Sequence, residues 1–225
     1  MESPCAESLS VPLLALDHVN FYYDALKVLN DINIRINSSE VHAIVGEHGA
    51  GKTSLCLIMS GFLKPHSGSF SIDNRRFEYM SPRRARALGI ELVTQANPLV
   101  DNFTVAENLF IDNRGIASHP FISRKRHLEI AQAYLKRCDF PLHPDELLRN
   151  MKLSDRVLVD ILKHLYNRPR LLILDEALQK LTAPNLNRLI QLLKEMKKSG
   201  LSIIFVTHRI DDIYRAPAVA ADIAR

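Results

Sequence analysis

The chain has no tryptophan, and its 225 residues include only three cysteines. Cys5, Cys56 and Cys138 are odd in number and stand at no metal-ligating spacing. That argues against a disulfide framework or a zinc module and fits a reducing, cytoplasmic compartment. No apolar run approaches the roughly 20 residues that span a bilayer. The start, Met1-Glu2-Ser3-Pro4-Cys5, is acidic and polar and does not read as a secretory signal. Low-complexity tracts and internal repeats are missing, which excludes solenoids and long linkers. Excess charge is small. Lys and Arg number 29 against 25 Asp and Glu, a net +4, too weak a balance to predict a nucleic-acid partner. Glycine is scarce, at 8 residues, yet three of the eight fall within residues 46–51.

That local crowding of glycine marks the most informative stretch of the chain. Gly46-Glu47-His48-Gly49-Ala50-Gly51-Lys52-Thr53-Ser54 fits the pattern G-x-x-x-x-G-K-[ST] without a mismatch. Glycines let the backbone turn tightly, so that N–H groups converge on phosphate oxygens. Lys52 is placed to reach the β- and γ-phosphates, and the Thr53 hydroxyl to ligate Mg²⁺. Val41-His42-Ala43-Ile44-Val45 reads as a short buried strand before the loop. Thr53 to Met59 reads as a helix after it, whose N-terminus favours an anion. The sequence therefore predicts a nucleoside triphosphate site.

The flanking chain sets the fold class. Residues 1–10 read as a loose tail. Short alternating runs follow at Leu14-Ala15-Leu16, residues 18–22, Val28-Leu29 and residues 32–36, and predict antiparallel strands. Residues 69–73 alternate as another strand, ending in the turn signal Asp73-Asn74. Ser81-Pro82 opens a short helix. Residues 90–94 form a strand that stops at Gln95. From about 97 to 166 the pattern is helical: Thr104-Val105-Ala106-Glu107 has capping-box form, and residues 124–138 and 153–165 each carry one apolar face. Leu171-Leu172-Ile173-Leu174 is a continuous apolar run, the mark of a parallel strand buried on both faces. Residues 184–198 form an amphipathic helix ended by Gly200, and residues 202–207 a second buried strand. Together these predict an α/β protein with a parallel core sheet, an N-terminal antiparallel β subdomain and an inserted helical subdomain. Ligands belong at the strand ends.

Asp175 and Glu176 follow the first buried strand. Beside a phosphate loop, an acid at that point holds Mg²⁺, and a neighbouring carboxylate can orient or deprotonate the attacking water. Gln95 can reach Mg²⁺ or that water. His208, at the end of the second buried strand, can hydrogen-bond the γ-phosphate.

Taken in order, these residues resemble the ATP-binding subunit of an ABC transporter, from about residue 13 to residue 214. The resemblance implies ATP and Mg²⁺ as ligands and Tyr23 as the aromatic that stacks on adenine, with Tyr22 the neighbour that spacing alone leaves open. It makes Gln95 the glutamine loop, which senses Mg²⁺ and the membrane partner. Asp175 becomes a Mg²⁺ ligand with Thr53 and Gln95, Glu176 the catalytic glutamate and His208 the switch histidine. It also implies a transmembrane permease and a second cassette as partners, at the cytoplasmic face of the membrane. Residues 41–52, 81–90 and 102–110 resemble the simple-sugar import branch of the ribose, galactose and xylose type. On that basis the chain is an ATP-hydrolysing subunit that energises import of a sugar or similar small polar solute. A soluble, non-transport cassette is disfavoured by the mild charge and the lack of a coiled-coil insertion.

Three departures from the family pattern stand out. Its second signature, LSGGQ or a variant, falls on Met151 to Asp155 when counted without gaps from Asp175, and on Leu153 to Val157 when Leu-Ser is matched directly. Neither register keeps a glycine or the glutamine, although Ser154 lies in both. Such a degenerate signature raises the alternative of an asymmetric cassette that binds ATP and pairs with a catalytically better partner. The segment after Glu176 reads Ala177-Leu178, then Gln179-Lys180-Leu181-Thr182, with threonine where aspartate is common. The chain also stops soon after Tyr214, short of the usual further strands and without a second cassette, so residues 11–225 read as one cassette with a truncated end.

Overall fold

The computed structural model describes residues 11–94, 99–111 and 124–208. β1 (Leu14–Tyr23) and β2 (Leu26–Ile36) form one long antiparallel hairpin. The short runs read from sequence are pieces of these two strands, and the physical reason is local. His18 and Asp31 adopt left-handed backbone, with φ of 52° and 53°. The pairing register shifts between Leu16 and Val19 and again before Phe21. Each shift resets the alternation of faces without ending the strand. His18 Nδ1 and Asp31 Oδ1 meet at 2.7 Å across this irregularity.

β3 (Val41–Val45) leads into the phosphate loop, and α1 (Lys52–Met59) leaves it. β4 (Ser67–Ile72) and β5 (Arg75–Phe77) then make a hairpin around Asp73-Asn74. Both turn residues have positive φ, 49° and 61°, which suits the twist of a two-residue hairpin and the short polar side chains that tolerate it. α2 (Pro82–Ala87) starts as expected, with the Ser81 hydroxyl accepting from the Arg84 amide and proline in the first turn. β6 (Ile90–Val93), α3 (Val105–Phe110), α4 (Arg124–Arg137) and α5 (Leu153–Tyr166) follow. β7 (Leu171–Asp175), α6 (Ala183–Lys198) and β8 (Ser202–Thr207) complete the described chain.

The strands sort into two sheets. One is antiparallel in the order β2-β1-β4-β5, and the other is parallel in the order β3-β8-β7-β6. Every residue of β7 and β8 is buried, as the unbroken apolar runs predict. Alternate residues of β7 feed different cores. Leu172 and Leu174 pack with α3, α5 and α6 through Leu109, Leu158 and Leu189. Leu171 and Ile173 pack with α1 and the antiparallel sheet through Leu55, Met59 and Phe70. The parallel sheet is thus the middle layer, and the carboxyl ends of β3, β8 and β7 open side by side. The expected tail at 1–10, the residues from 209 to the C-terminus and Gln95 lie outside the described residues.

Candidate nucleotide site

The loop between β3 and α1 is held by its own backbone. The Ala50 amide donates to the Glu47 carbonyl at 3.2 Å, and Leu55 closes the first helical turn on Gly51 at 2.9 Å. Gly51 has φ of 84°, and a Cβ there would stand 2.9 Å from the Val28 carbonyl. Only glycine lets the loop press against β2 at this point. The Lys52 ammonium bridges the Gly46 and Glu47 carbonyls, at 2.7 Å each, and is nearly buried, so its charge is fixed within the loop.

Asp175 ends β7 directly beneath this loop and is 3% exposed. Burial pushes its carboxyl above the usual aspartate value; a hydrogen bond from Thr53 and the charge of Lys52 oppose the shift, and Glu176 adds to it. Its Oδ1 is buried without a hydrogen-bond partner. A buried carboxylate oxygen left over, beside a threonine hydroxyl, is the donor chemistry of a hard, oxygen-preferring cation, so these residues fit Mg²⁺. The same cleft, about 340 Å³, is lined by Tyr23, His48, Gly49, Gly51, Lys52, Thr53, Ser54, Asp175 and Glu176. Leu26 and Val28 of β2 add an apolar wall that the sequence did not single out. Tyr23 lies on this wall, edge-to-face with Phe21 at 4.9 Å. Tyr22 instead meets His66 at 5.4 Å and Lys27 at 5.6 Å.

Glu176 follows Asp175 with φ of 54°, a left-handed turn that costs energy in a residue with a long side chain. Its amide is anchored on the Val206 carbonyl at 3.0 Å. The turn brings its Oε1 to 3.1 Å from His208 Nδ1. Gln179 Nε2 also stands 3.4 Å from His208 Nδ1 and 3.4 Å from Thr207 Oγ1. An Nδ1 that donates to Glu176 cannot accept from Gln179, so the glutamine amide belongs on Thr207. His208 stacks at a tilt on His48, with 4.2 Å between ring centroids. The predicted residues thus come together, Gln95 aside. What sequence reading missed was Gln179 and the approach of His48.

The degenerate signature region starts α5. Lys152 takes the cap position with no side-chain cap, and Leu153 begins the helix. Ser154 is buried and committed inward: its hydroxyl accepts from the Thr182 amide at 2.9 Å and from Asn185 Nδ2 at 3.2 Å. Asn185 also donates to Asp155 at 2.7 Å. The start of α5 is therefore tied to the segment that leads from Glu176 into α6.

Residues 29–179 match the family described as ABC transporter. This chain belongs to that family. It is 34% identical over 207 residues to a ribose import ATP-binding protein, RbsA 1, of Rhizobium johnstonii, covering 92% of this chain and 40% of the relative. It is 37% identical over 190 residues to a nucleoside import ATP-binding protein, NupA, of Lactococcus lactis subsp. cremoris, covering 83% and 37%. The chain therefore spans about two fifths of the length of these curated relatives. Among solved structures, cbiO1 of Clostridium perfringens, part of the ABC transporter complex cbiONQ, matches with a TM-score of 0.72 at 29% identity, over 90% of this chain and 80% of that one. A nucleotide-free ATP-binding cassette from an ABC transporter matches with a TM-score of 0.76 at 22% identity, over 91% and 85%, a likeness of fold. The ABC cassette fold accounts for both sheets and for the phosphate loop between them.

Proposed function

We propose that the chain binds Mg·ATP and hydrolyses it as the cassette of an importer for a sugar or similar small polar solute. The observation that carries this is the convergence of Tyr23, Lys52, Thr53, Asp175 and Glu176 on one cleft. The names of the ribose and nucleoside import relatives support the solute class. Thr53 and Asp175 would hold Mg²⁺, with Gln95 as a further candidate; the ion would neutralise charge on the phosphate oxygens. Residues 46–54 cradle the phosphates, and Lys52 brings a fixed cation to them. Tyr23 offers its face to adenine. Glu176 accepts a proton from, or orients, the attacking water. For His208 to donate from Nδ1 to Glu176 and from its other ring nitrogen to the γ-phosphate, both ring nitrogens must carry protons, and that doubly protonated ring is the form proposed to act here. In-line displacement asks for positioning and charge stabilisation, which this rigid set of strand ends supplies. A permease in the membrane and a second cassette would be the partners, and the chain would work at the cytoplasmic face. Glu176→Gln should retain Mg·ATP binding and lose about 10²- to 10⁴-fold in turnover. Turnover at the parent rate would remove Glu176 from the reaction.

The start of α5 favours a second reading alongside the first. Residues 151–157 offer no glycine, and the Ser154 hydroxyl is engaged with Thr182 and Asn185. Such a surface is a poor lid for a partner's ATP. In this reading the chain binds ATP and completes its own site with another cassette's signature. Turnover of the chain alone, compared with turnover beside a second cassette, separates the two.

A further inference from the structure

Among the described residues, His48, Glu176 and His208 are the cluster in which three such ligand atoms lie within 4.8 Å of one another. We propose that they form a site for a borderline transition-metal ion of the Zn²⁺ type, distinct from the Mg²⁺ site, and that an ion bound there arrests the cassette while Lys52, Thr53, Asp175 and Tyr23 still hold the nucleotide.

The scaffold argues for it first. Two of the ligands, His208 and Glu176, come from the carboxyl ends of neighbouring strands β8 and β7, and the third, His48, from the phosphate loop three residues past the end of adjacent β3. Val45 pairs with Thr207, and Val206 with Asp175, so His208 and Glu176 each stand one residue past a paired strand end. Ligands held by adjacent strands are better fixed than ligands on a free loop. The distances agree. His208 Nδ1 and Glu176 Oε1 are 3.1 Å apart. Ligand atoms about 2.1 Å from a tetrahedral ion lie about 3.4 Å from each other, so that pair already has the required edge. His48 is the exposed member, and its ring is 4.2 Å, centroid to centroid, from that of His208. Closing the third edge takes a side-chain rotation within the 4.8 Å spread of the cluster.

The donor chemistry separates this site from its neighbour. Two imidazoles and one carboxylate suit Zn²⁺, Ni²⁺ or Cu²⁺ and leave a fourth position for water or a phosphate oxygen. Thr53 and Asp175 are oxygen donors and suit Mg²⁺. Consecutive residues thus serve different cations: Asp175 is bonded to Thr53, and Glu176 turns away from it to His208. The left-handed backbone of Glu176 makes that division. An ion on Glu176 Oε1 and His208 Nδ1 takes the carboxylate proposed above to orient water and breaks the Glu176–His208 hydrogen bond that aims the ring at the γ-phosphate. Lys52, Thr53, Asp175 and Tyr23 remain available to the nucleotide. The arrest rests on the hydrolytic roles proposed for Glu176 and His208; the binding of metal does not.

The test uses the full chain, free of nucleotide and Mg²⁺, with Zn²⁺ as the probe in competition with a chromogenic chelator. One Zn²⁺ per chain should bind with a Kd of about 1 µM or tighter. Co²⁺ in its place should give the visible absorption of a four-coordinate ion. His48→Ala and His208→Ala should each weaken Zn²⁺ binding by at least about tenfold, with His48→Asn repeating the loss at nearly constant side-chain volume. Thermal melts show whether each variant is folded. Parent-like affinity in the folded His48 and His208 variants would overturn the site, as would a parent chain that leaves Zn²⁺ with the chelator. Turnover is then followed at excess Mg·ATP with free Zn²⁺ held by a metal buffer. It should fall as the site fills, while a fluorescent ATP analogue stays bound. Zn²⁺ bound with turnover unchanged would overturn the arrest. A chain that binds Zn²⁺ and shows no hydrolysis under any condition would instead count against the proposed ATPase function.

Discussion

Tyr22 and Tyr23 show what one residue of spacing decides. Sequence alone leaves both as stacking candidates, because an aromatic face is generic. A strand sends neighbours to opposite faces, and only Tyr23 lies on the cleft. Tyr23→Ala should weaken Mg·ATP binding by about 1–3 kcal/mol, the usual worth of a base stacked on an aromatic ring. Tyr22→Ala should stay within about 0.5 kcal/mol, as a remote surface change does. Calorimetric titration of both variants checks this, and equal losses would detach adenine from Tyr23. Asp175 and Glu176 were legible because an apolar run points straight at them. The bond between Glu176 and His208 was not, since 32 residues separate them and only the adjacency of β7 and β8 joins them. His48 was hidden differently: it occupies a position the phosphate-loop pattern leaves free.

Elements were legible where a local hydrogen bond writes them. The capping box of α3 is present as predicted. The Thr104 amide donates to Glu107 Oε2 at 2.7 Å, and the Glu107 amide donates to Thr104 Oγ1 at 3.2 Å. The Thr104 amide is the main reason Glu107 titrates below the usual glutamate range, against a smaller effect of burial. A carboxylate depressed by folding stabilises the fold above its unfolded pKa, about 4.3, and loses that contribution as pH falls through the lower folded value. Glu107→Ala should therefore cost about 0.5–1 kcal/mol at pH 7, toward the low end because the side chain is exposed. Urea melts below pH 4 should show the gap between parent and variant closing. A gap that persists would assign the loss to packing. The merger of short runs into β1 and β2 was not legible, because left-handed backbone at His18 and Asp31 interrupts alternation without interrupting the strand.

At the scale of the whole molecule, the sequence points to a parallel sheet and an antiparallel one but not to the order β3-β8-β7-β6. That order depends on which strands share a core, which spacing along the chain does not encode. The asymmetric reading also belongs to this scale. If a partner's signature completes the site, a second cassette with an intact signature should raise turnover on the order of 100-fold over the chain alone, the worth of a missing phosphate contact. Equal turnover with and without it would sink that reading. The two-sided packing of β7 has a last consequence. Its odd-numbered residues face α1 and the antiparallel sheet, its even-numbered residues face the helices, and Asp175 continues the odd series toward Thr53. Slipping the strand by one residue would turn the carboxylate to the wrong side and exchange the contents of both cores at once. Because residues 171–174 are all Leu or Ile, the slip would leave both cores apolar, so the cost that holds the register is that of turning the Asp175 carboxylate into the helical core, away from Thr53.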